Sequence, residues 1–228
     1  MNSDTVWQIA LYAIPIIFAI TLHEAAHAYV ARYFGDHTAS DLGRVTLNPL
    51  KHIDPLGTII IPGLLLLSHA GVLFGYAKPV PVNFGGLKNP RRDMIWVAAA
   101  GPAMNIALAL ISALGLAVLD GMGVTPGYWG RALCLASIRI NLLLAVFNLL
   151  PLPPLDGGRV MTGLLPPVLA RPYAAIERFG MFILIGLVVI LPQLGPNMNV
   201  FGWLVQRPVA WLTQNLLAVV DVVARTFN

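Results

Sequence analysis

The sequence predicts an all-α polytopic membrane protein with about five to six membrane helices and one short re-entrant or β-hairpin element. Three observations carry this. Hydrophobic residues make up 57% of the 228-residue chain and charged residues 11%, against about 45–50% and about 25% in soluble domains. Mean hydropathy is +0.77. The apolar residues are gathered into windows at 6–22, 57–76, 94–119, 132–150 and 179–192, which approach the roughly 20 residues a spanning helix needs. No stretch is long or polar enough for a separate soluble domain. The chain reads as a single domain over 1–228, with a core at about 5–160 and accessory C-terminal helices at about 161–228.

Taken in order, the first helix runs from Thr5 to Phe34 and ends where Gly35 and Asp36 open the polar run "GDHTASDLG". No Lys or Arg precedes its apolar stretch and no small-residue cleavage site closes it, so it does not read as a signal peptide. "GRVTLNP" (43–49) and "KPVPVNF" (78–84) alternate Val, Leu or Thr between Gly, Pro and Asn, the pattern of short strands. Window 57–76 is apolar but is broken by Pro62-Gly63 and carries His69. Helices follow at 93–119 and 131–150. After Pro166-Pro167 and Arg171-Pro172 come helices near 174–192 and 203–224.

The net charge of +4 is concentrated in loops. Arg32, Arg44, Lys51, Lys78, Lys88, Arg91 and Arg92 lie between the first span and Met94, and Arg159, Arg171 and Arg178 form a second group. This suits the positive-inside rule, whereas nucleic-acid binding would require a basic face interleaved with aromatic residues. If these loops are cytosolic, the first helix runs inward, 94–119 runs outward and 131–150 returns. Window 57–76 must then enter and leave on one side, as a re-entrant or membrane-edge hairpin; the alternative is an ordinary span that leaves Arg91 and Arg92 outside. The single cysteine, Cys134, excludes an internal disulfide and a cysteine-rich metal site.

One constellation has no business in lipid unless it works there. His23-Glu24-Ala25-Ala26-His27 spells H-E-x-x-H within the first span. Positions i and i+4 of a helix share a face, so both imidazoles can hold one zinc while Glu24 stands beside the open position as a general base. An ionised side chain at the centre of a span costs about 2.5–3.5 kcal/mol even on lenient scales, which makes such residues functional candidates. His23 lies about 26 Å along the helix from Val6, inside the bilayer and nearer the inner edge. A catalytic zinc uses a third protein ligand. Asp36, Asp41 and Asp54 are in the polar loop, Asp120 is at the opposite face, and His69 is a further possibility. Asp156 stands out, because Pro151, Pro153 and Pro154 unwind the chain before it and Gly157-Gly158 follow. The alternative is that Asp156 caps the next helix. Asn105 and Asn148 are amides inside spans, which bridge helices or face a cavity. Arg139, within a span, reads as snorkelling outward.

H-E-x-x-H in an early span, Gly101-Pro102-Ala103-Met104-Asn105 (G-P-x-x-N) and Asn148 to Gly157 (N-x-x-P-x-P-x-x-D-G) together resemble the site-2 protease family of intramembrane zinc metalloproteases. "GRVTLNPLKHIDPLGT" and "AKPVPVNF" resemble its compact prokaryotic branch, without a PDZ or CBS domain. The resemblance covers about residues 15–160 and rests on three motifs in order. It implies one zinc per chain on His23, His27 and Asp156, with Glu24 as base. The Asn148 motif would hold substrate or stabilise the oxyanion, with Asn105 as a further catalytic candidate.

The expectation is therefore a zinc-dependent endopeptidase that cuts the membrane segments of other membrane proteins. It would be multi-pass in the cell membrane with its site toward the cytosol, and its partners would be transmembrane substrates and the lipid bilayer. The rivals are a metal transporter, which needs a polar relay through the outer halves of the spans, and an inactive helix-binding protein, for which Glu24 would be superfluous. A protease must grip its substrate in extended form, and Val80, Val82 and Phe84 form the edge that Pro79 and Pro81 do not interrupt. That edge is expected to pair with substrate, or internally with Arg44 to Leu47, and Asn83→Pro is expected to do less harm than Val82→Pro.

Overall fold

The computed structural model describes residues 3–51, 54, 60, 78–124, 127–195 and 198–226. Helix α1 (Ser3–Tyr33) leads into the short α2 (Thr38–Asp41). Next come α3 (Pro90–Gly121) and α4 (Trp129–Asn148), then two short helices, α5 (Asp156–Leu164) and α6 (Pro167–Ala174). Helix α7 (Glu177–Ile185) continues through a π turn and a 3-10 turn to Leu194. A π turn at Gly202–Gln206 opens α8 (Arg207–Ala224). The expected all-α polytopic architecture is present. Four of the described helices are long and apolar enough to cross a membrane: Ala10–Tyr33, Pro90–Gly121, Trp129–Asn148 and Glu177–Leu194.

A fifth expected helix, α8, is present among the described residues but is not apolar enough to count as a span. Helix α8 falls short because Arg207, Thr213, Gln214, Asn215 and Asp221 interrupt its apolar residues. It is nevertheless built into the core: Val220 packs with Ala109, Ala113, Leu116 and Ala117 of α3 and with Ile138 and Leu142 of α4. Window 57–76, with His69 and the re-entrant reading, lies outside the described residues apart from Ile60.

Small side chains set the spacing of α1 and α3. Ala19, Ala25, Ala28 and Ala31 are all buried on α1, and facing helices in lipid approach closely only across such residues. Arg91 ties the start of α3 to the end of α5, donating to the carbonyls of Gly163 (3.0 Å) and Leu165.

The two strands expected from the sequence are not formed; no strand occurs among the described residues. Residues 78–83 form no regular element and Phe84 begins a 3-10 turn; two amides of the segment are taken by carboxylates instead of a ladder. Val80 N–H donates to Glu24 Oε2 (2.7 Å) and Asn83 N–H to Asp36 Oδ2 (2.7 Å). The side chains still associate, since Val80 packs with Ala28 and Ala39, and Val45 and Val82 lie against them. The amide of Asn83, expected to be dispensable, is therefore engaged, and Asn83→Pro should be harmful.

Asp36 fastens this strap. It lies just beyond the first span, buried, and accepts from Thr38 N–H (3.0 Å), Thr38 Oγ1 (2.5 Å) and Asn83 N–H. Burial pushes its pKa upward, but the hydrogen bonds from Thr38 and Asn83 outweigh it and hold the carboxyl below its ordinary 3.8. A depressed folded-state pKa contributes stability that is complete above the unfolded value and is lost as pH falls through the folded one. Amide exchange at Asn83 should therefore stay slow at neutral pH and accelerate below about pH 4, beyond the intrinsic trend, and Asp36→Asn should remove that step.

Candidate metal centre

His23 and His27 point from one face of α1 toward α3, where Gly101 makes room for them. A Cβ at Gly101 would lie 2.4 Å from His27 Nε2 and 2.5 Å from His23 Nε2, so only glycine allows this approach. Asp156 arrives from the other side. After Asn148 the proline-broken stretch 149–155 turns back, and Asp156 occupies the first turn of α5, with Leu155 as the N-cap. It is thus just inside a helix, not on the unwound stretch itself and not the cap, and the helix N-terminus favours its charge. Gly157 is needed for the reversal, since a Cβ there would lie 2.2 Å from the carbonyl oxygen of Leu149.

Both imidazoles have their tautomers fixed from behind. His27 Nδ1 donates to the Val97 carbonyl at 2.7 Å and His23 Nδ1 to Asn105 Oδ1 at 2.6 Å. Each acceptor is an oxygen with no proton to give, so each Nδ1 carries a hydrogen, and in the neutral ring each Nε2 carries the lone pair. Those lone pairs face one another and the carboxylate: His23 Nε2 to His27 Nε2 is 3.0 Å, His23 Nε2 to Asp156 Oδ2 is 3.2 Å, and His27 Nε2 to Asp156 Oδ1 is 3.4 Å. Although Oδ2 is near a ring nitrogen, it is buried with no hydrogen-bond donor.

With both rings neutral these are three buried acceptors facing one another, and they repel unless a cation, a shared proton or a metal ion, joins them. Two ligands each about 2.0–2.1 Å from one tetrahedral zinc stand about 3.3–3.4 Å apart, close to the separations here. The residues fit a zinc ion, and the orphaned Oδ2 and the cradle at Gly101 are the observations that make the fit. Filling that cradle should be costly. Gly101→Ala is expected to lower zinc content to background with loss of activity, read by metal analysis of the purified protein; retained stoichiometric metal would show that the helices can part without harm.

The other predicted residues divide. Glu24 is half-buried beside the imidazoles, with one carboxylate oxygen anchored on Val80 N–H. Of the acids weighed as third ligand, Asp36 is engaged by Thr38 and Asn83, Asp120 pairs with Arg131 (Oδ2 to Nη2, 3.0 Å), and Asp41 is exposed. Among the described residues the group of three metal-capable side chains is His23, His27 and Asp156. Asn105 is fully buried and its oxygen is spent on His23, so it stands behind that imidazole and is not open to substrate. Asn148 ends α4, donating to its own Leu144 carbonyl at 3.1 Å. Val82 and Phe84 pack near Ala31, Leu87 and Val97, with the Arg159 guanidinium 5.4 Å above the Phe84 ring. Arg139 is exposed on α4, as an outward-snorkelling residue should be.

Three contributors went unread in the sequence. Two are main-chain groups, the Val97 carbonyl and the Val80 amide, which leave no mark in residue types. The third is Asn141, a second buried amide behind Asn105; its position within an apolar span was the available signal.

The model of peptidase family M50 matches residues 11–133 and 127–191. The Bacillus subtilis protein named "Putative zinc metalloprotease YwhC" is 43% identical over 180 residues, 77% of this chain and 78% of that one. The Rip2 proteins of Mycolicibacterium smegmatis and Mycobacterium tuberculosis (strain H37Rv), whose names carry the same description, are 32% and 31% identical. These matches cover 78% and 82% of this chain and 66% and 67% of the relatives. No solved structure matches the chain. With an H-E-x-x-H helix, a convergent aspartate and membrane-length helices around them, the chain is a multi-pass membrane metalloprotease that belongs to peptidase family M50, the site-2 protease family.

Proposed function

We propose that the protein is an intramembrane endopeptidase that uses one zinc ion per chain to hydrolyse a peptide bond in or near the membrane segment of another membrane protein. The observation that carries this reading is the trio of facing acceptor atoms on His23, His27 and Asp156, with Glu24 alongside on the next residue of the same helix. A zinc ion held there supplies Lewis acidity for the scissile carbonyl and makes water acidic enough to deprotonate near neutral pH.

The chain supplies the rest. Val97 and Asn105 hold the two imidazoles by their Nδ1–H groups, so that both Nε2 atoms are available as ligands. Val80 N–H holds Glu24 Oε2 and leaves Oε1 to take a proton from water and return it to the leaving amine. Residues 78–83 pass beside this carboxylate and are the candidate guide for an extended substrate, through groups other than the Val80 and Asn83 amides, which are already engaged, and the end of α4 at Asn148 is the candidate second support for substrate. The basic loops argue for a cytosolic site and a short path for water. Substrates are transmembrane proteins, and the bilayer is the medium in which they arrive.

Reconstitution with a single-span substrate tests the reading. Cleavage should require zinc, stop with chelation and return on zinc addition. Zinc flux without cleavage would favour transport, and substrate binding without cleavage would favour a sequestering role.

A further inference from the structure

Behind His23, on α1, a line of polar side chains on α3 and α4 runs through the helix bundle, buried at Asn105 and Asn141 and partly buried at Ser137 and Ser112, and the mechanism above uses only its first member. Asn105 Oδ1 accepts from His23 Nδ1 (2.6 Å), while Asn105 Nδ2 donates to Asn141 Oδ1 (2.9 Å) and to the Ala19 carbonyl (3.3 Å). Asn141 Nδ2 donates to the carbonyl and the hydroxyl of Ser137 (2.9 and 3.2 Å), and Ser137 Oγ meets Ser112 Oγ at 2.7 Å. Asn105 and Asn141 are both buried, and both hydrogens of each amide have a partner.

We propose that Asn141 is a positioning residue of the metal centre, one that sets the tautomer of His23 from two helices away. The polarity propagates in one direction only. The Ser137 carbonyl cannot donate, so the Asn141 atom facing it is the nitrogen, and the oxygen is turned to Asn105. Asn105 must then offer its nitrogen to Asn141 and its oxygen to His23. An oxygen at that place demands a hydrogen on Nδ1, and the lone pair is left on Nε2, where the ligand trio converges. If Asn105 were flipped, its NH2 would face Nδ1, the ring hydrogen would move to Nε2, and that atom could no longer bind a metal. The Ala19 carbonyl opposes the flip too, through the longer contact; Asn141 supplies the shorter one. Its burial at no apolar gain follows from this task, since an unsatisfied amide in a span is costly.

This inference rests on His23 being a ligand, and the experiment separates the two. Asn141→Leu keeps the shape and removes both hydrogen-bonding ends. It should weaken zinc affinity, measured by chelator competition, about 10–100-fold, the range expected when the support behind a metal ligand is lost. Asn141→Asp, protonated in this buried site so that one oxygen donates to the Ser137 carbonyl while the other accepts from Asn105, should stay within a few-fold of wild type. In an Asn105→Leu background, Asn141→Leu should add nothing further, because it acts through that amide. Unchanged affinity in Asn141→Leu, equal loss in the Leu and Asp variants, or additive losses with Asn105→Leu would each overturn the proposal. If His23→Ala itself leaves zinc binding intact, the ligand assignment fails instead. Should Asn141→Leu not fold, nitrogen-15 NMR of the histidines in metal-free wild-type protein decides: His23 must carry its hydrogen on Nδ1, and a hydrogen on Nε2 refutes the relay.

Discussion

Glu24→Gln is expected to abolish cleavage while zinc remains bound in full. The substitution is nearly isosteric, and the glutamine carbonyl can still accept from Val80 N–H, so the side chain keeps its anchor. What it loses is the ability to take a proton. General acid–base catalysis is worth about 10²–10⁴-fold, and here one carboxylate serves both halves of the reaction, so the loss should reach the upper part of that range. His23→Ala and His27→Ala should differ in kind, losing metal and activity together. The deciding measurement is metal content beside turnover: a Glu24→Gln protein that has lost stoichiometric zinc would make Glu24 a ligand and leave the reaction without its base.

The parts of this centre that were legible in sequence are those whose residue types are expensive where they stand. Two histidines and a glutamate within a membrane span, and an aspartate between a proline cluster and two glycines, are seldom placed by packing alone. They assembled as the spacing required, with His23 and His27 one turn apart and Asp156 returned to them by the turn at 149–155. The polar segment was harder to read. Alternating Val and Pro in 78–84 has the strand pattern, yet the amides of Val80 and Asn83 are satisfied by Glu24 and Asp36. Periodicity reports which side chains are buried and not which acceptor a main-chain N–H finds. The same blindness hid the Val97 carbonyl. Asn105 was open between bridging and substrate contact, and burial against His23 decides for bridging. Helix α8 escaped notice as a core element because its polar residues dilute its hydropathy, whereas its apolar stripe packs on α3 and α4.

Asp156→Ala is expected to move metal binding and metal-free stability in opposite directions. Without a metal ion, and above the pH at which the histidines take up a proton, the wild-type protein buries a carboxylate whose Oδ2 has no donor, against two imidazole nitrogens that present lone pairs. An unsatisfied buried polar group costs about 1–3 kcal/mol, and more when charged. Alanine removes that cost and leaves a small void, so in excess chelator at alkaline pH, where the rings are neutral, the variant should unfold in detergent at the same temperature as wild type or higher. Zinc reverses the ranking. A ligand present at about 100 to 1,000 times its dissociation constant stabilises the state that binds it by about 2.7–4.1 kcal/mol. Wild type should gain on that scale, and Asp156→Ala, with two imidazoles and no third ligand, should gain little at the same zinc concentration. Asp120→Ala is the contrasting control: it breaks the ion pair with Arg131 where α3 and α4 meet, so it should lower stability in both conditions and leave the zinc-induced gain intact. If Asp156→Ala instead keeps the full gain, the third ligand lies elsewhere and His69 becomes the residue to substitute. If it is less stable than wild type in chelator, the three acceptors are not in conflict when the metal is absent, and the argument that they are built for a cation loses its physical basis.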